Sequence, residues 1–202
     1  MITIGLTGGI ATGKSMVSQL LKEHGAFVIN ADLLAHELYS PGTIGFNQIV
    51  SSFGDSIVTR EGFINRKKLG RIVFSDQTKM VDLNSIVHPL IYEEIQKKLV
   101  DLANKKCSVV VVEAAILIEA GWQKIFNQIW VVTSETETVM SRLITRDGLN
   151  QEEALKRIES QMNAEERSKY ADVIIENNED MNVLSSELDD IWNDKFSSII
   201  RR

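Results

Sequence analysis

The chain has 202 residues, of which 44% are hydrophobic and 25% are charged, and its formal net charge at pH 7 is −6. This composition is typical of a globular domain, and the acidic balance argues against a broad nucleic-acid surface, because such surfaces are basic. No apolar run reaches membrane-spanning length and the one cysteine, Cys107, can form no internal disulfide, so we expect a cytoplasmic protein with no membrane segment.

The first predicted elements are a short buried strand over residues 1–6, a glycine-rich loop and an amphipathic helix. The loop has the spacing G-x-x-x-x-G-K-[ST], and its members are Gly8, Gly9, Ile10, Ala11, Thr12, Gly13, Lys14 and Ser15. After the loop, Met16, Val17, Leu20 and Leu21 recur on one helical face. A strand, a glycine loop and a helix start are the context in which this motif binds the phosphates of a nucleoside triphosphate.

The residue types of this loop suit phosphate chemistry. Glycines let successive backbone N–H groups turn inward around an anion, and the start of a helix adds a partial positive charge. Lys14 would reach the terminal phosphates, and the Ser15 hydroxyl would hold Mg²⁺. The alternative, a glycine-rich turn that merely starts a helix, gives no reason for Lys-Ser after the last glycine.

A second apolar strand is predicted over residues 26–29, and Asp32 follows it. In open α/β folds the carboxyl ends of the strands line the ligand site, which favours Asp32 as a general base toward a substrate hydroxyl. Asp32 is equally suited to be the N-cap of a helix starting at Leu33. Position alone leaves these two interpretations open.

Residues 33–106 change to helical periodicity, and the stretch is too long for a simple crossover. We interpret it as a helical insertion that builds a second binding site. Its basic run from Arg66 to Arg71 is either a phosphate contact of a substrate or a charged helix exterior. His88 either hydrogen-bonds a substrate or caps local structure, and Pro89 beside it indicates a helix start or a turn.

Three further runs rich in β-branched residues predict strands over residues 109–112, 129–132 and 173–175. Five such strands separated by helices predict an α/β fold with a five-stranded parallel sheet flanked by helices. Glu113 ends the third strand, where a carboxylate can support a metal bound to the phosphate loop.

Two arginines, Arg142 and Arg146, are four residues apart and share one helical face. They precede a predicted turn at residues 147–150 and a second helix that we expect to include Gln161. Beside a phosphate loop, arginines on a helical hairpin favour a lid over residues 139–168 that stabilises charge on the transferring phosphoryl group. Alternatively, Arg142 and Arg146 lie on a solvated basic face of the helix and have no catalytic role.

Taken together, these motifs make the chain resemble the dephospho-CoA kinases throughout its length. The matching segments are the phosphate loop, residues 31–36 with Pro41-Gly42, Asn65-Arg66, residues 83–91 with His88-Pro89, Arg142-Leu143, residues 146–149, Arg157-Ile158 with Gln161, and residues 171–175 with Asn177-Asn178. Their order and spacing together are specific to this family.

The resemblance implies a P-loop kinase that transfers the γ-phosphate of ATP to the ribose 3′-hydroxyl of dephospho-CoA, with Mg²⁺ as cofactor. It implies a core of residues 1–32, 107–138 and 169–202. The implied catalytic residues are Lys14, Asp32 and Arg142. ATP would be bound by the residues from Gly8 to Met16 with Arg146 and Asn177, the acceptor by Asp32, Arg66 and His88, and Mg²⁺ by Ser15 with Asp32 or Glu113.

One departure from the family pattern is Ala115, which stands where a proline is usual. We expect the loss of this proline to loosen the loop without removing a catalytic group.

Two other functions remain as alternatives. Another small-molecule kinase, acting on a nucleoside monophosphate or a sugar acid, would share the loop and lid. A nucleotide-dependent switch would need a guanine-reading Asn-Lys-x-Asp, and residues 177–180 lack its lysine. The oligomeric state, monomer or weak homo-oligomer, is left open.

Overall fold

A computed structural model describes residues 1–200, with side chains through Phe196. Within it the chain forms two compact units. The first consists of Met1–Asn30 together with the chain from Leu99 onward, and the second is Ala31–Lys98. None of the described helices combines the length and apolar character needed to cross a membrane.

The first unit is built on a five-stranded sheet in which all neighbouring strands are parallel. The strands are β1 (Ile2–Gly8), β2 (Phe27–Asn30), β3 (Val109–Glu113), β4 (Gln128–Thr133) and β5 (Val173–Glu176). Their order across the sheet is β2-β3-β1-β4-β5. The five strands and the parallel sheet predicted from the sequence are thereby confirmed.

The helices connect and flank these strands. In chain order they are α1 (Lys14–Glu23), α2 (Ala31–Leu38), α3 (Ile44–Phe53), α4 (Arg66–Ser75), α5 (Gln77–Asn104), α6 (Thr136–Asp147), α7 (Gln151–Glu159), α8 (Ala164–Ser168) and α9 (Met181–Ile200). Helices α2 to α4 belong to the second unit, and α5 runs from the second unit into the first.

The register of the sheet places Glu113 beside residues of β1 and β2. All five residues of β3 are buried, which fits a β-branched strand covered on both faces. Leu6 of β1 and Asn30 of β2 both pair with Glu113 at the end of β3. Glu113 therefore lies at the carboxyl end of β3, between β2 and β1.

Aromatic packing fixes α9 to the sheet. The ring of Trp130 in β4 stacks on Phe196 with a centroid separation of 6.1 Å, and Trp192 meets Phe196 edge-on at 4.7 Å. All three side chains are buried. Truncating a buried aromatic residue of this kind costs about 3–5 kcal/mol of folding free energy, so these contacts are a main support of the core.

The second unit is helical, and capping side chains define where its helices begin. Thr43 accepts a hydrogen bond from the Phe46 N–H at 3.1 Å at the start of α3, and Asn65 accepts one from the Lys68 N–H at 2.9 Å at the start of α4. Each contact satisfies a backbone donor of the first helical turn that has no partner within the helix.

The expectation that Pro89 marks a helix start or turn is wrong, because Pro89 lies inside the 28-residue helix α5. Proline has no N–H to donate to the carbonyl of Ser85, which usually weakens a helix. The helix continues because its apolar residues on both sides of the proline are buried, Val87 before it and Ile91 and Ile95 after it. Burial of this stripe outweighs one missing hydrogen bond.

Candidate active site

The phosphate loop occupies the turn between β1 and α1, and two of its glycines are required by geometry. Gly13, at the N-terminus of α1, has φ of 94°, in the left-handed region that favours glycine. At Gly8, a Cβ atom would collide with the carbonyl oxygen of Val132 in the neighbouring strand. Ala11 also adopts a positive φ, of 56°, so the loop holds one strained non-glycine residue.

The side chain of Lys14 folds back over this loop. Its Nζ atom donates hydrogen bonds to the carbonyl oxygens of Gly8 at 2.9 Å and Gly9 at 3.0 Å. Ser15 and Met16, the next two residues, are exposed, and Met16 has 40% of its surface accessible. The positive charge of Lys14 is thus held on the loop that the sequence predicts to surround phosphate.

Glu113 is the most enclosed carboxylate of the site, with 5% of its surface exposed. Its Oε1 accepts a hydrogen bond from the Ser15 hydroxyl at 2.8 Å, and its Oε2 accepts from Ser18 at 2.9 Å and from the Asn30 amide at 3.3 Å. Three donors thus converge on one carboxylate. The sequence pointed to Glu113 and Ser15 but not to Ser18 or Asn30 as its supports.

This arrangement fits a magnesium ion of the kind that phosphate loops bind. The Ser15 hydroxyl donates a hydrogen bond to Glu113, which leaves the lone pairs of the hydroxyl oxygen for a hard cation. Within residues 1–196, no group of three His, Cys, Asp or Glu side chains is arranged to hold a metal. Mg²⁺ at a phosphate loop needs no such group, because it keeps waters and takes the phosphates themselves as ligands.

Arg142 and Asn177 tie the phosphate loop to the ends of β4 and β5. The Arg142 guanidinium donates to the carbonyl of Ala11 at 3.3 Å, to the Ser134 hydroxyl at 3.1 Å and to the carbonyl of Asn177 at 2.9 Å. The buried amide of Asn177 in turn donates to the carbonyl of Thr12 at 2.8 Å. Both predicted residues therefore contact the loop directly.

Arg146, on the same helix, has a different environment. It is largely exposed and forms a bidentate pair with Asp147, with N···O distances of 2.7 and 3.0 Å. The hydrogen bonds to Asp147 raise the pKa of Arg146, whereas burial, aided by the nearby charge of Arg146, lowers the pKa of Arg142. The two arginines share a helix but not a contact with the loop.

The helical hairpin predicted around residues 147–150 is confirmed. Gly148 ends α6 in the left-handed conformation, and Asn150 begins α7 with a capping box in which the Asn150 and Glu153 side chains each bind the other's backbone N–H. Gln161 was expected within the second helix, but α7 ends at Glu159. Beyond that end, Gln161 Oε1 accepts a hydrogen bond from the N–H of Ile10 in the phosphate loop at 2.7 Å.

A cavity of about 170 Å³ lies beside the loop. It is bounded by Gly9 and Ile10 of the loop, by Val132 of the sheet, and by Gln161 and Arg167 from the segment after α7. Arg167 is buried and pairs with Glu119 at 2.8 Å. Arg167 could not be predicted from the sequence, because its short helix, with three charged residues in five, has no apolar periodicity that would indicate one buried side chain.

In the second unit, Asp32 occupies the first turn of α2 and is exposed. The expectation that it caps a helix starting at Leu33 is wrong, because the helix begins at Ala31, directly after β2. A carboxylate in the first turn is still favoured by the helix dipole. The helix thus begins at the sheet edge, and Asp32 follows the strand end by two residues.

Arg66 and His88 occupy separate helices of the second unit. Arg66 starts α4, where its guanidinium lies 5.8 Å from the centroid of the Tyr39 ring and donates to the carbonyl of His36 at 3.4 Å. His88 lies in α5 and is half-buried, and this burial lowers its pKa. Burial also raises the pKa of Tyr39, against the opposing effect of the Arg66 charge.

The segment that contains Ala115 is held by its surroundings. The Thr7 hydroxyl donates to the carbonyl of Ala115 at 3.3 Å, and the side chains of Ala114 and Leu117 are fully buried. These contacts anchor the backbone at the position where the family usually has proline. How much the alanine loosens this loop stays a prediction.

Comparison with known proteins identifies the relatives of this chain. The sequence profile of the dephospho-CoA kinase family matches residues 2–182. A dephospho-CoA kinase from Geobacter sulfurreducens is 42% identical over 97% of this chain and 100% of its own length. Among solved structures, TT1252 from Thermus thermophilus is 29% identical with a TM-score of 0.80, covering 96% of this chain and 97% of its own. The dephospho-CoA kinase from Campylobacter jejuni is 28% identical with a TM-score of 0.73, covering 98% of both chains.

Proposed function

Because this chain belongs to the dephospho-CoA kinase family, with a P-loop kinase fold, we propose that it phosphorylates the ribose 3′-hydroxyl of dephospho-CoA with ATP, giving coenzyme A and ADP. This is the final step of coenzyme A synthesis. The observation that carries the proposal is the complete phosphate loop, with Lys14 on its carbonyls and Ser15 bound to a buried Glu113. A cytoplasmic location belongs to the same proposal and is supported by the single cysteine.

In this proposal the loop from Gly8 to Ser15 binds the β- and γ-phosphates through its backbone N–H groups. Lys14 leaves the Gly8 and Gly9 carbonyls and places its charge against the terminal phosphates. Ser15, held by Glu113, would hold Mg²⁺, with the exposed Asp32 as a further candidate near the metal. When bound, Mg²⁺ neutralises charge on the phosphate oxygens.

Asp32 is the proposed general base. Its carboxylate accepts the proton of the 3′-hydroxyl as the hydroxyl oxygen attacks the γ-phosphorus, the bond to the bridging oxygen breaks, and ADP leaves. Exposure of Asp32 and its place in the first turn of α2, two residues after β2, support this role. Its former alternative, a purely capping role before Leu33, does not agree with the start of α2.

Arg142 is the proposed charge clamp on the nucleotide side. It already bridges Ala11 of the loop to Asn177, so its guanidinium is oriented by acceptors on three residues before any substrate binds. An arginine fixed in this way loses little side-chain entropy on contacting phosphate. Arg146, in the lid of residues 139–168, and Asn177, which follows β5, complete the ATP side of the proposal.

The helical insertion of residues 33–106 is the proposed acceptor site, with Arg66 and His88 as its substrate contacts. Arg66 is exposed and held against Tyr39, so its charge is available to an anionic substrate. His88 is neutral over a wider pH range than an ordinary histidine because burial lowers its pKa. A neutral imidazole can both donate and accept a hydrogen bond.

Acceptor preference tests this function against the other small-molecule kinases. We would compare initial rates of ADP formation with dephospho-CoA, AMP and gluconate, each with Mg²⁺ and either ATP or GTP. The proposal requires dephospho-CoA to be preferred by orders of magnitude in kcat/KM. Preference for AMP or gluconate would show that the chain is a kinase for a different acceptor. Nucleotide binding without phosphorylation of any acceptor would favour a nucleotide-dependent switch protein.

A further inference from the structure

A buried arginine beside the phosphate loop is not accounted for by the roles above. Arg167 lies in α8 and has 3% of its surface exposed. Its Nη2 pairs with Glu119 at 2.8 Å and its Nη1 donates to the carbonyl of Met162 at 3.1 Å. A guanidinium is seldom buried to this degree unless its donors have partners, since removing its charge from water is costly.

The hydrogen bonding of the Arg167 guanidinium is incomplete. Its Nε atom is buried and has no hydrogen-bond partner among the residues whose side chains are described. A buried donor without an acceptor destabilises the fold, and in native structures such a donor is usually accounted for by a bound water, an ion or a functional role. A group that arrives with the substrate and accepts hydrogen bonds would remove this deficit.

The position of Arg167 indicates which substrate brings that acceptor. Its Nη1 lies 3.5 Å from the position that a Cβ atom would take on Gly9, so the guanidinium packs against the second residue of the phosphate loop. Arg167 and Gly9 both line the cavity of about 170 Å³, several times the ~30 Å³ that one water occupies. Gln161, which borders the same cavity, is bonded to Ile10 of the loop.

We propose that Arg167 is a second catalytic arginine, which binds the γ-phosphate of ATP from the side of the loop formed by Gly9. Phosphate oxygens are acceptors that suit the planar fork of a guanidinium, and the protons of Arg167 that remain for them are the Nε–H and the second proton of each Nη atom. This inference depends on the proposed ATP site at residues 8–15.

Glu119 is the proposed positioning residue for Arg167. It comes from the segment between β3 and β4, about one third of its side chain is exposed, and it binds Nη2 alone. This single contact orients the guanidinium plane and does not involve Nε. A bidentate partner would have occupied both donors and neutralised the charge more completely.

The first test compares ATP and ADP binding by titration calorimetry for Arg167→Ala and for Lys169→Ala as a matched control. Lys169 is an exposed cation two residues away. We expect Arg167→Ala to lower ATP affinity by about 10- to 100-fold and kcat by at least as much, with ADP affinity nearly unchanged. Lys169→Ala should change none of these quantities.

Each other outcome overturns the inference. Unchanged ATP affinity and kcat would show that Arg167 is structural. Equal losses of ATP and ADP affinity would show that Arg167 supports the whole loop or binds the β-phosphate. A rise confined to the KM for dephospho-CoA would assign it to a phosphate of the acceptor. If the wild-type protein bound neither nucleotide, the proposed ATP site itself would be wrong, which is a separate result.

Two further variants cover the case in which Arg167→Ala does not fold. Arg167→Lys keeps the charge but not the fork, and should retain the melting temperature while losing part of the preference for ATP over ADP. Glu119→Gln keeps an acceptor for Nη2, so it should preserve ATP affinity and lower kcat less than Arg167→Lys does. A normal ATP preference in Arg167→Lys would refute the role of the fork.

Discussion

Replacing Glu113 by glutamine removes one charge and changes almost no volume. In the wild type, Oε2 accepts from two donors, Ser18 and Asn30, and Oε1 accepts from Ser15. A glutamine can place only one oxygen, which is better used on the side with two donors. Its amide nitrogen then faces the Ser15 hydroxyl across the former 2.8 Å contact. Ser15 must now accept a hydrogen bond, which occupies a lone pair that the metal requires.

The size of this effect follows from the bonds involved. A hydrogen bond to a charged group contributes about 1.5–3 kcal/mol, which corresponds to about a 10- to 100-fold change in an equilibrium constant. We therefore expect Glu113→Gln to weaken apparent Mg²⁺ affinity by about 10- to 100-fold. The free energy of unfolding should decrease by less than this, because Ser18 also donates to the Ser15 carbonyl at 3.1 Å and keeps that partner.

The assay is the rate of ADP formation with dephospho-CoA, measured as a function of Mg²⁺ concentration. Excess Mg²⁺ should restore part of the lost kcat in Glu113→Gln. Glu176→Gln is the matched control, since Glu176 also ends a strand of the sheet but is exposed. An unchanged Mg²⁺ dependence in Glu113→Gln, with a normal melting temperature, would refute the reasoning.

Four further predictions follow from the same site. Lys14→Ala should abolish phosphoryl transfer at an unchanged melting temperature, because a loop lysine contributes charge and little packing; near-normal turnover would contradict this. Asp32→Asn should lower kcat by about 100-fold while calorimetric ATP affinity persists, since it removes only the base, and full turnover would rule out that role. Arg142→Ala should lower kcat by about 100-fold or more and Arg146→Ala by clearly less, because only Arg142 contacts the loop; equal losses would show that this contact is irrelevant. Burial lowers the pKa of His88 below its ordinary 6.5, so the stability that neutral His88 contributes is complete above that pH and is lost as the pH falls below it. Between about pH 7.5 and about pH 5, the melting temperature should therefore decrease less steeply for His88→Asn than for the wild type.

The sheet and the loop could be predicted because their signals are local. Residues 109–112 are four successive valines, which favour an extended, fully covered strand whatever surrounds them, and β3 has that environment. The phosphate loop is likewise encoded by a contiguous run of residues. The strand ends then follow from the sheet, which is why Glu113 could be selected as a candidate near the loop; its hydrogen bond with Ser15 was not predicted.

The features that sequence reasoning missed depend on contacts between distant residues. Pro89 reads locally as a helix breaker, and only the burial of Val87 and Ile91 explains why α5 passes through it. Arg167 sits in a short charged segment, and its burial depends on Glu119, 48 positions earlier in the chain. No periodicity or motif within α8 indicates the contact between Arg167 and Glu119.

The central claim is that this chain transfers the γ-phosphate of ATP to the 3′-hydroxyl of dephospho-CoA. Its most direct test is to incubate the protein with ATP, Mg²⁺ and dephospho-CoA, and to identify the product by mass and by phosphorus NMR. We expect one added phosphoryl group, located on the ribose 3′-oxygen, with ADP formed in equal amount. Release of inorganic phosphate with dephospho-CoA unchanged, or a phosphoryl group on any other oxygen, would contradict it.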